Sequence, residues 1–290
     1  MRATTTDTTP AWGVRSMTAP LRRALLCEPV DGEFTAAGWL GRPDLLELRR
    51  QHAAFAELVA GLGVEVVVVR PPEGLVDACY PYDPVFVTGG GVVELRMAKP
   101  ARVGEPEFLA AAVEAAGVPR IGALSGEAVA NGGDMLWLDE STLAVARGYR
   151  TNAAAHEQLR DLLAPEGTAV ARFDLPHHGG AAQLLHLLSV LSPVAGELAV
   201  VFEPLCPVPL LEALDERGFR RIPCAEDEFE LQGCNVLAVR PGVVVLADSC
   251  PGTRRALERA GCEVHVYRSS ELNKGEGGPT CLTRPLLRAA

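Results

Sequence analysis

No apolar run in this sequence approaches the roughly 20 residues needed to span a bilayer. The first twenty residues lack the apolar block of a secretory signal and read as a disordered lead. Positive charge is not in excess either. The chain has 27 Lys and Arg against 37 Asp and Glu, a formal net charge of −10. That excludes the basic footprint of a nucleic-acid binder and disfavours an anionic membrane surface, while a small cation is drawn in. The cysteines are Cys27, Cys79, Cys206, Cys224, Cys234, Cys250, Cys262 and Cys281, with no C-x-x-C pair and no zinc-ligand spacing among them. With no signal segment, they are expected to be reduced thiols in the cytoplasm.

What is present is the material of a large core. Hydrophobic residues make up 48% of the 290 and charged residues 22%, which argues against disorder. Residues 21–27 read as a first strand and residues 42–61 as a helix, with Leu45, Leu48, His52, Phe55, Leu58 and Val59 at helical spacing. A buried strand over 64–69 follows. Val85-Phe86-Val87, Gly89-Gly90-Gly91 and Val92 to Arg96 carry a hairpin signature. Helix, strand and strand pair then recur. Helices are predicted over 105–117, 152–163, 207–217 and 251–260, and strands over 135–138, 142–146, 169–173, 187–190, 198–202, 220–223, 236–239, 243–246 and 263–267.

Polar residues punctuate this order at Asp83, Asp134, His186, Cys234 and Cys281, separated by 51, 52, 48 and 47 residues. A fixed period near 50 marks a repeat architecture. In a closed radial array the five equivalent strand starts meet near an axis. An ordinary α/β sheet gives similar alternation without five-fold closure.

The tail, Gly275-Glu276-Gly277-Gly278-Pro279-Thr280-Cys281-Leu282-Thr283, places a lone thiol on a glycine-rich bend. Glycines let backbone approach a ligand or take positive φ. Cys281 is a candidate nucleophile; a buried small hydrophobe is the bland alternative. Thiolate chemistry needs a base, usually an imidazole. His52 and His156 fall in helices, His265 in a strand, and His177-His178 in a loop. His186, inside an apolar run, holds the repeat position opposite Cys281. A catalytic thiol there is expected to react well below the ordinary thiol pKa of about 8.5. Asn131-Gly132-Gly133-Asp134 offers close backbone approach and a carboxylate. Arg96, Arg147 and Arg150 have the chemistry to hold a carboxylate. The acidic 225–229 segment reads as a solvated face, and Cys234 as structural.

These segments, in this order, resemble the guanidino-group-modifying superfamily, which contains dimethylarginine dimethylaminohydrolases, arginine deiminases and amidinotransferases. The resemblance runs from about residue 21 to the end. It rests on Asp83-Pro-Val-Phe-Val, Leu95-Arg96 through Gly104-Glu105, Gly132-Gly133-Asp134, Arg150-Thr151-Asn152, Leu185-His186-Leu187, Gly233-Cys234-Asn235-Val236 and Glu276 to Leu282. It implies the pentein fold, a five-bladed α/β propeller of about 50-residue repeats, as one catalytic domain over 21–290. It also implies a small guanidino substrate, with neither metal nor cofactor; a homodimer is left open. In the family, a cysteine attacks the guanidinium carbon, and a histidine protonates the leaving amine and then activates water. The resemblance carries these roles onto Cys281 and His186. It carries the histidine-bridging position onto Asn131, carboxylate binding onto Arg96 and Arg150, and guanidinium binding onto Asp83 and Asp134 beside Gly133. Three positions depart from the pattern: Asn131 replaces an acid, Thr88-Gly89 replaces an acid pair, and Leu188 replaces an acid after the histidine. The implied activity is hydrolysis of arginine or a substituted arginine. The alternatives are amidino transfer to an amine, or guanidine binding without catalysis.

Overall fold

The computed structural model describes residues 11–181 and 185–289. Its strands form five three-stranded sheets. In chain order the elements begin with β1 (Leu21–Cys27), α1 (Leu45–Gly61) and β2 (Glu65–Val69). Next come β3 (Val85–Val87), β4 (Val92–Glu94), α2 (Glu105–Ala115) and β5 (Arg120–Ala123), then β6 (Met135–Asp139), β7 (Thr142–Arg147), α3 (Ala153–Leu163) and β8 (Ala169–Asp174). The second half repeats this with a helical turn α4 (Leu187–Val190), β9 (Leu191–Ala195), β10 (Leu198–Val201), α5 (Val208–Glu216) and β11 (Arg220–Pro223). It ends with β12 (Leu237–Arg240), β13 (Val243–Ala247), α6 (Pro251–Arg259), β14 (Glu263–Tyr267) and β15 (Arg284–Arg288).

Every sheet repeats one unit. Two strands pair antiparallel, and a helical crossover lays a third strand parallel to the second. The first sheet takes its antiparallel member from the chain end, because β15 pairs with β1 while β1 pairs parallel with β2. The sequence explains the order of burial. The antiparallel members are near-continuous apolar runs such as Leu191–Ala195 and Val243–Ala247, and they are buried on both faces. The third strands alternate or carry charge, as in Glu65–Val69 and Glu263–Tyr267, and remain half-exposed. α1 and α3 lie beside the outer strands β2 and β8 and bury one stripe each: Leu48, Phe55 and Val59 in α1, and Ala155, Leu159 and Leu163 in α3. Asp44 starts α1 by accepting from the Leu46 and Glu47 amides, at 2.9 and 3.1 Å, and Asn152 starts α3 by accepting from Ala155 N at 3.0 Å.

Three expectations need correction. The lead was predicted to run to residue 20, yet residues 11–20 are placed against the body. Gly13 N donates to Leu286 O and Arg288 N to Gly13 O, both at 2.9 Å, and Val14 is buried. Residues 1–10 lie outside the described residues. Residues 187–190 were read as a strand from their apolar run, but they form the turn α4, with the Ser189 hydroxyl accepting from His186 N at 3.1 Å. Finally, β5 was read as a linker, because its sequence, Arg-Ile-Gly-Ala, has too few apolar residues to signal a strand. Among the described residues no helix is long and apolar enough to cross a membrane.

Candidate active site

The five punctuation residues each stand just before the antiparallel member of a sheet, and three of them face the same space. Cys281, His186 and Asp83 line one small cavity of about 70 Å3, together with Asn131 and Arg150. Two neighbouring bends build one wall. Tyr82 N donates to Cys281 O at 3.3 Å. Arg284, buried three residues beyond the cysteine, donates to Tyr82 O and Val85 O at 3.1 and 2.8 Å, and its guanidinium lies 3.9 Å from the Tyr82 ring centroid. The thiol is thereby fixed beside Asp83.

The tail glycines act differently from the expectation of positive φ. None of Gly275, Gly277 and Gly278 has positive φ; the residue in the left-handed region is Glu276, at φ 60° and ψ 30°. The glycines are needed for space. A Cβ on Gly275 or Gly277 would enter the Tyr80 ring, and one on Gly278 would stand 2.5 Å from Asn235 Cγ. Asn235 in turn holds the bend: its Oδ1 accepts from Thr280 N at 3.0 Å and its Nδ2 donates to Cys281 Sγ at 3.1 Å.

His186 is set by the opposite wall. A Cβ on Gly133 would collide with the imidazole and come within 2.9 Å of Asp83 Oδ1, so only glycine lets this backbone lie against both. Gly133 N donates to Asp83 Oδ1 at 2.8 Å. The imidazole Nδ1 lies 3.9 Å from the same oxygen, and Nε2 lies 3.2 Å from Asn131 Nδ2. With the amide donating, Nε2 accepts and Nδ1 carries the ring proton. Turned over, the amide presents Oδ1, which otherwise has no partner, to a protonated Nε2. An amide can therefore meet Nε2 as donor or as acceptor, whereas an ionised carboxylate can only accept.

Two predicted binding residues lie elsewhere. Asp134 does not line the cavity. Its oxygens accept from Leu187 N at 3.2 Å and Thr151 Oγ1 at 2.6 Å, so it anchors the segment that carries His186 instead of meeting a guanidinium. Arg96 is exposed and also outside the lining; strand alternation turns it outward. Thr88 and Gly89, where the resemblance expects acids, stand outside the lining as well. Thr88 donates to Glu166 at 2.6 Å, and a Cβ on Gly89 would strike Arg15. Cys234 is a core thiol as expected, but its neighbour Asn235 reaches the site. His52 is buried and His156 bonds Ala146 O at 3.1 Å, so both act as core histidines.

The sequence reading missed Arg102, Lys99 and Glu276. Arg102 is 5% exposed yet lines the cavity. It donates to Asp83 Oδ2 at 2.6 Å, to Glu105 Oε2 at 2.8 Å, and to the Asp77 and Tyr80 carbonyls at 3.2 Å. Lys99 Nζ pairs with Asp77 at 2.9 Å. The Arg-x-x-Glu spacing at the start of α2 was the available signal for the first pair.

Burial sets the charge states. It pushes the Cys281 thiol up to about 12, with the Asp83 carboxylate adding to the rise and the Gly278 and Asn235 hydrogen bonds opposing it. Burial thus runs against the expected easily ionised thiol: Arg102 and the two hydrogen bonds lower its pKa by less than desolvation and Asp83 raise it. Burial also raises Asp83, but His186, Arg102 and the Gly133 amide outweigh it and hold the carboxyl below its ordinary value. Glu105 is pushed up to about 7 by burial, against the pull of Arg102. The site therefore holds a neutral thiol beside an ionised carboxylate, an arrangement that a flat cation would complete.

Comparison with known proteins agrees with this chemistry. Residues 207–288 match the arginine deiminase family model. The arginine deiminase of Listeria welshimeri is 31% identical over 249 residues, covering 71% of this chain, and this chain spans 60% of that protein's length. A variant of dimethylarginine dimethylaminohydrolase from Pseudomonas aeruginosa, complexed with citrulline, superposes with a TM-score of 0.75 at 19% identity over 91% of this chain and 99% of that one. A Microseira wollei amidinotransferase of saxitoxin biosynthesis superposes with a TM-score of 0.80 at 14% identity, over 97% and 98%. At such identities the structural likeness carries fold alone. Fold and sequence match together are consistent with the guanidino-group-modifying superfamily.

Proposed function

We propose that this protein is a thiol-dependent hydrolase of a guanidino compound, arginine or a substituted arginine, and that its five sheets close into a five-bladed propeller forming one catalytic domain. The observation that carries the reading is the meeting of Cys281 and His186, 95 residues apart in the chain, in one cavity with Asp83 and Asn131. A guanidinium spreads its charge and is a poor electrophile, so catalysis must localise that charge and supply a strong nucleophile. Asp83 meets the cation. The cation lowers the thiol pKa, and the Cys281 proton passes to His186. The sulfur then bonds to the guanidinium carbon. The carbon–nitrogen bond to the departing amine breaks as His186 returns the proton to that nitrogen, leaving a covalent amidino-thiol. Water, deprotonated by His186, adds to the same carbon. Cleavage of the carbon–sulfur bond releases a ureido product and restores the thiol.

Brief exposure to a panel of guanidines, followed by mass spectrometry, tests this: the adduct mass should map to Cys281 and vanish in Cys281→Ser. Turnover unchanged by that substitution, for every guanidine tried, refutes the mechanism.

A second reading is amidino transfer, in which an amine resolves the same intermediate. It is favoured by the uncharged Asn131 beside His186, which offers no carboxylate to orient water. Ornithine formed from arginine only when an acceptor amine is present would select it. A ureido product without acceptor selects hydrolysis.

A further inference from the structure

A second, smaller cavity of about 10 Å3 lies where the five sheets meet. Each sheet gives it one strand: Phe86 comes from β3, Trp137 from β6, Pro193 from β9, Leu237 from β12 and Arg284 from β15. It stands behind the wall that carries Cys281. Thr280, immediately before the cysteine, and Arg284, three residues after it, both line it.

Its charges are all of one sign. Arg284 and Arg288 line the cavity and are 1% and 8% exposed. Their partners are neutral. Arg284 donates to the Tyr82 and Val85 carbonyls and lies over the Tyr82 ring, and Arg288 donates to the Ala19 and Ala238 carbonyls, both at 2.7 Å. The carboxylate whose field reaches Arg284 is Asp83, which already pairs with Arg102 at 2.6 Å. Burial lowers Arg288 to about 10, with the neighbouring Arg284 charge adding to the fall, so it is still a cation at neutral pH. Buried charges are normally paired with opposite ones; here two like charges share one small space.

The hydrogen bonds point the same way. Three buried polar atoms of the lining residues have no partner among the described residues: Arg284 Nε, Trp137 Nε1 and Thr280 Oγ1. The first two can only donate, and the third can donate. Two cations and three free donors call for an acceptor with negative charge, and the volume admits a guest of one atom.

We infer that this cavity binds a monatomic anion of the chloride class, held by Arg284, Arg288, Trp137 and Thr280. The ion offsets the like-charge pair and joins one strand of every sheet at a single point. It also ties the residue before Cys281 to the one three places after it. Organic anions such as gluconate are too large for the space. A water molecule would satisfy the donors but leave the charge, and it would show no preference among dissolved anions.

The test uses the intact protein in sodium chloride, bromide or gluconate at equal ionic strength. The thermal unfolding temperature should rise and saturate with either halide, by about 5 °C once the halide reaches about a hundred times its Kd, and gluconate should give no such rise. Crystals grown in bromide should show an anomalous bromine peak in the cavity. Thr280→Val keeps the shape and removes one donor, so it should raise the halide midpoint about tenfold. Arg288→Gln should abolish the halide effect; if that variant does not fold, Thr280→Val and the bromine peak still decide. Equal unfolding temperatures in halide and gluconate, a halide effect untouched by either substitution, or bromide crystals without a peak in the cavity overturn the assignment.

Discussion

The thiol of Cys281 should be nearly inert to neutral reagents and become reactive only when a cation arrives. Its pKa, pushed up to about 12, leaves about one thiolate in 10^5 molecules at pH 7. A guanidinium or amidinium seated about 4 Å from the sulfur is worth about 4 kcal/mol at an effective dielectric constant of about 20. That equals about three pKa units, so bound cation raises the thiolate fraction about a thousandfold. The assay compares chloroacetamidine with its neutral twin chloroacetamide, each rate divided by that of the same reagent with a free thiol. The amidine should be favoured by about 10^2–10^3. The neutral reagent's rate should climb with pH without levelling below pH 10. Asp83→Asn gives a crossed signature. Because Asp83 both raises the thiol pKa and attracts the cation, its removal should speed the neutral reagent and slow the cationic one. Neutral alkylation of Cys281 that levels off below pH 8, or an amidine preference of only a few-fold, would refute the reasoning.

Gly133→Ala should lower kcat by about 10^2, with little change in unfolding temperature, because the new Cβ displaces the imidazole by the order of an ångström. Arg102→Ala should cost about 3–5 kcal/mol in denaturant unfolding, since it strands buried Asp83 and Glu105. Glu105→Gln should cost far less on the same assay, because burial already pushes that carboxyl up to about 7 and the neutral form is near at hand. Asn235→Ala should cost about 1–3 kcal/mol by orphaning the Thr280 amide, and should also slow chloroacetamidine by removing the donor to Cys281 Sγ. Asn131→Asp should raise turnover of arginine-type guanidines in steady-state assays if a missing carboxylate limits the rate; a fall would show that the amide's ability to donate or accept at Nε2 matters more.

Much of this architecture was legible in the chain. The order of elements, the roughly 50-residue period and the strand starts after Asp83, Asp134 and Cys281 all follow from hydrophobic alternation and glycine punctuation, which are local properties. The same signal misread residues 187–190, because a short, mostly apolar run fits a buried turn as well as a strand, and it missed β5, whose apolar content is too low. Periodicity placed five residues at equivalent positions but gave no side-chain directions. Asp134 turned to Leu187 N and Thr151, Arg96 turned to solvent, and Asn235 rather than Cys234 reached the sulfur. Arg102 and Glu276 emerged only once the bends had packed. Charge state was the least legible property. A thiol's ionisation is the sum of desolvation and field from groups that lie far apart in sequence, and only the folded chain buries Cys281 beside Asp83, with Arg102 already engaged by that carboxylate.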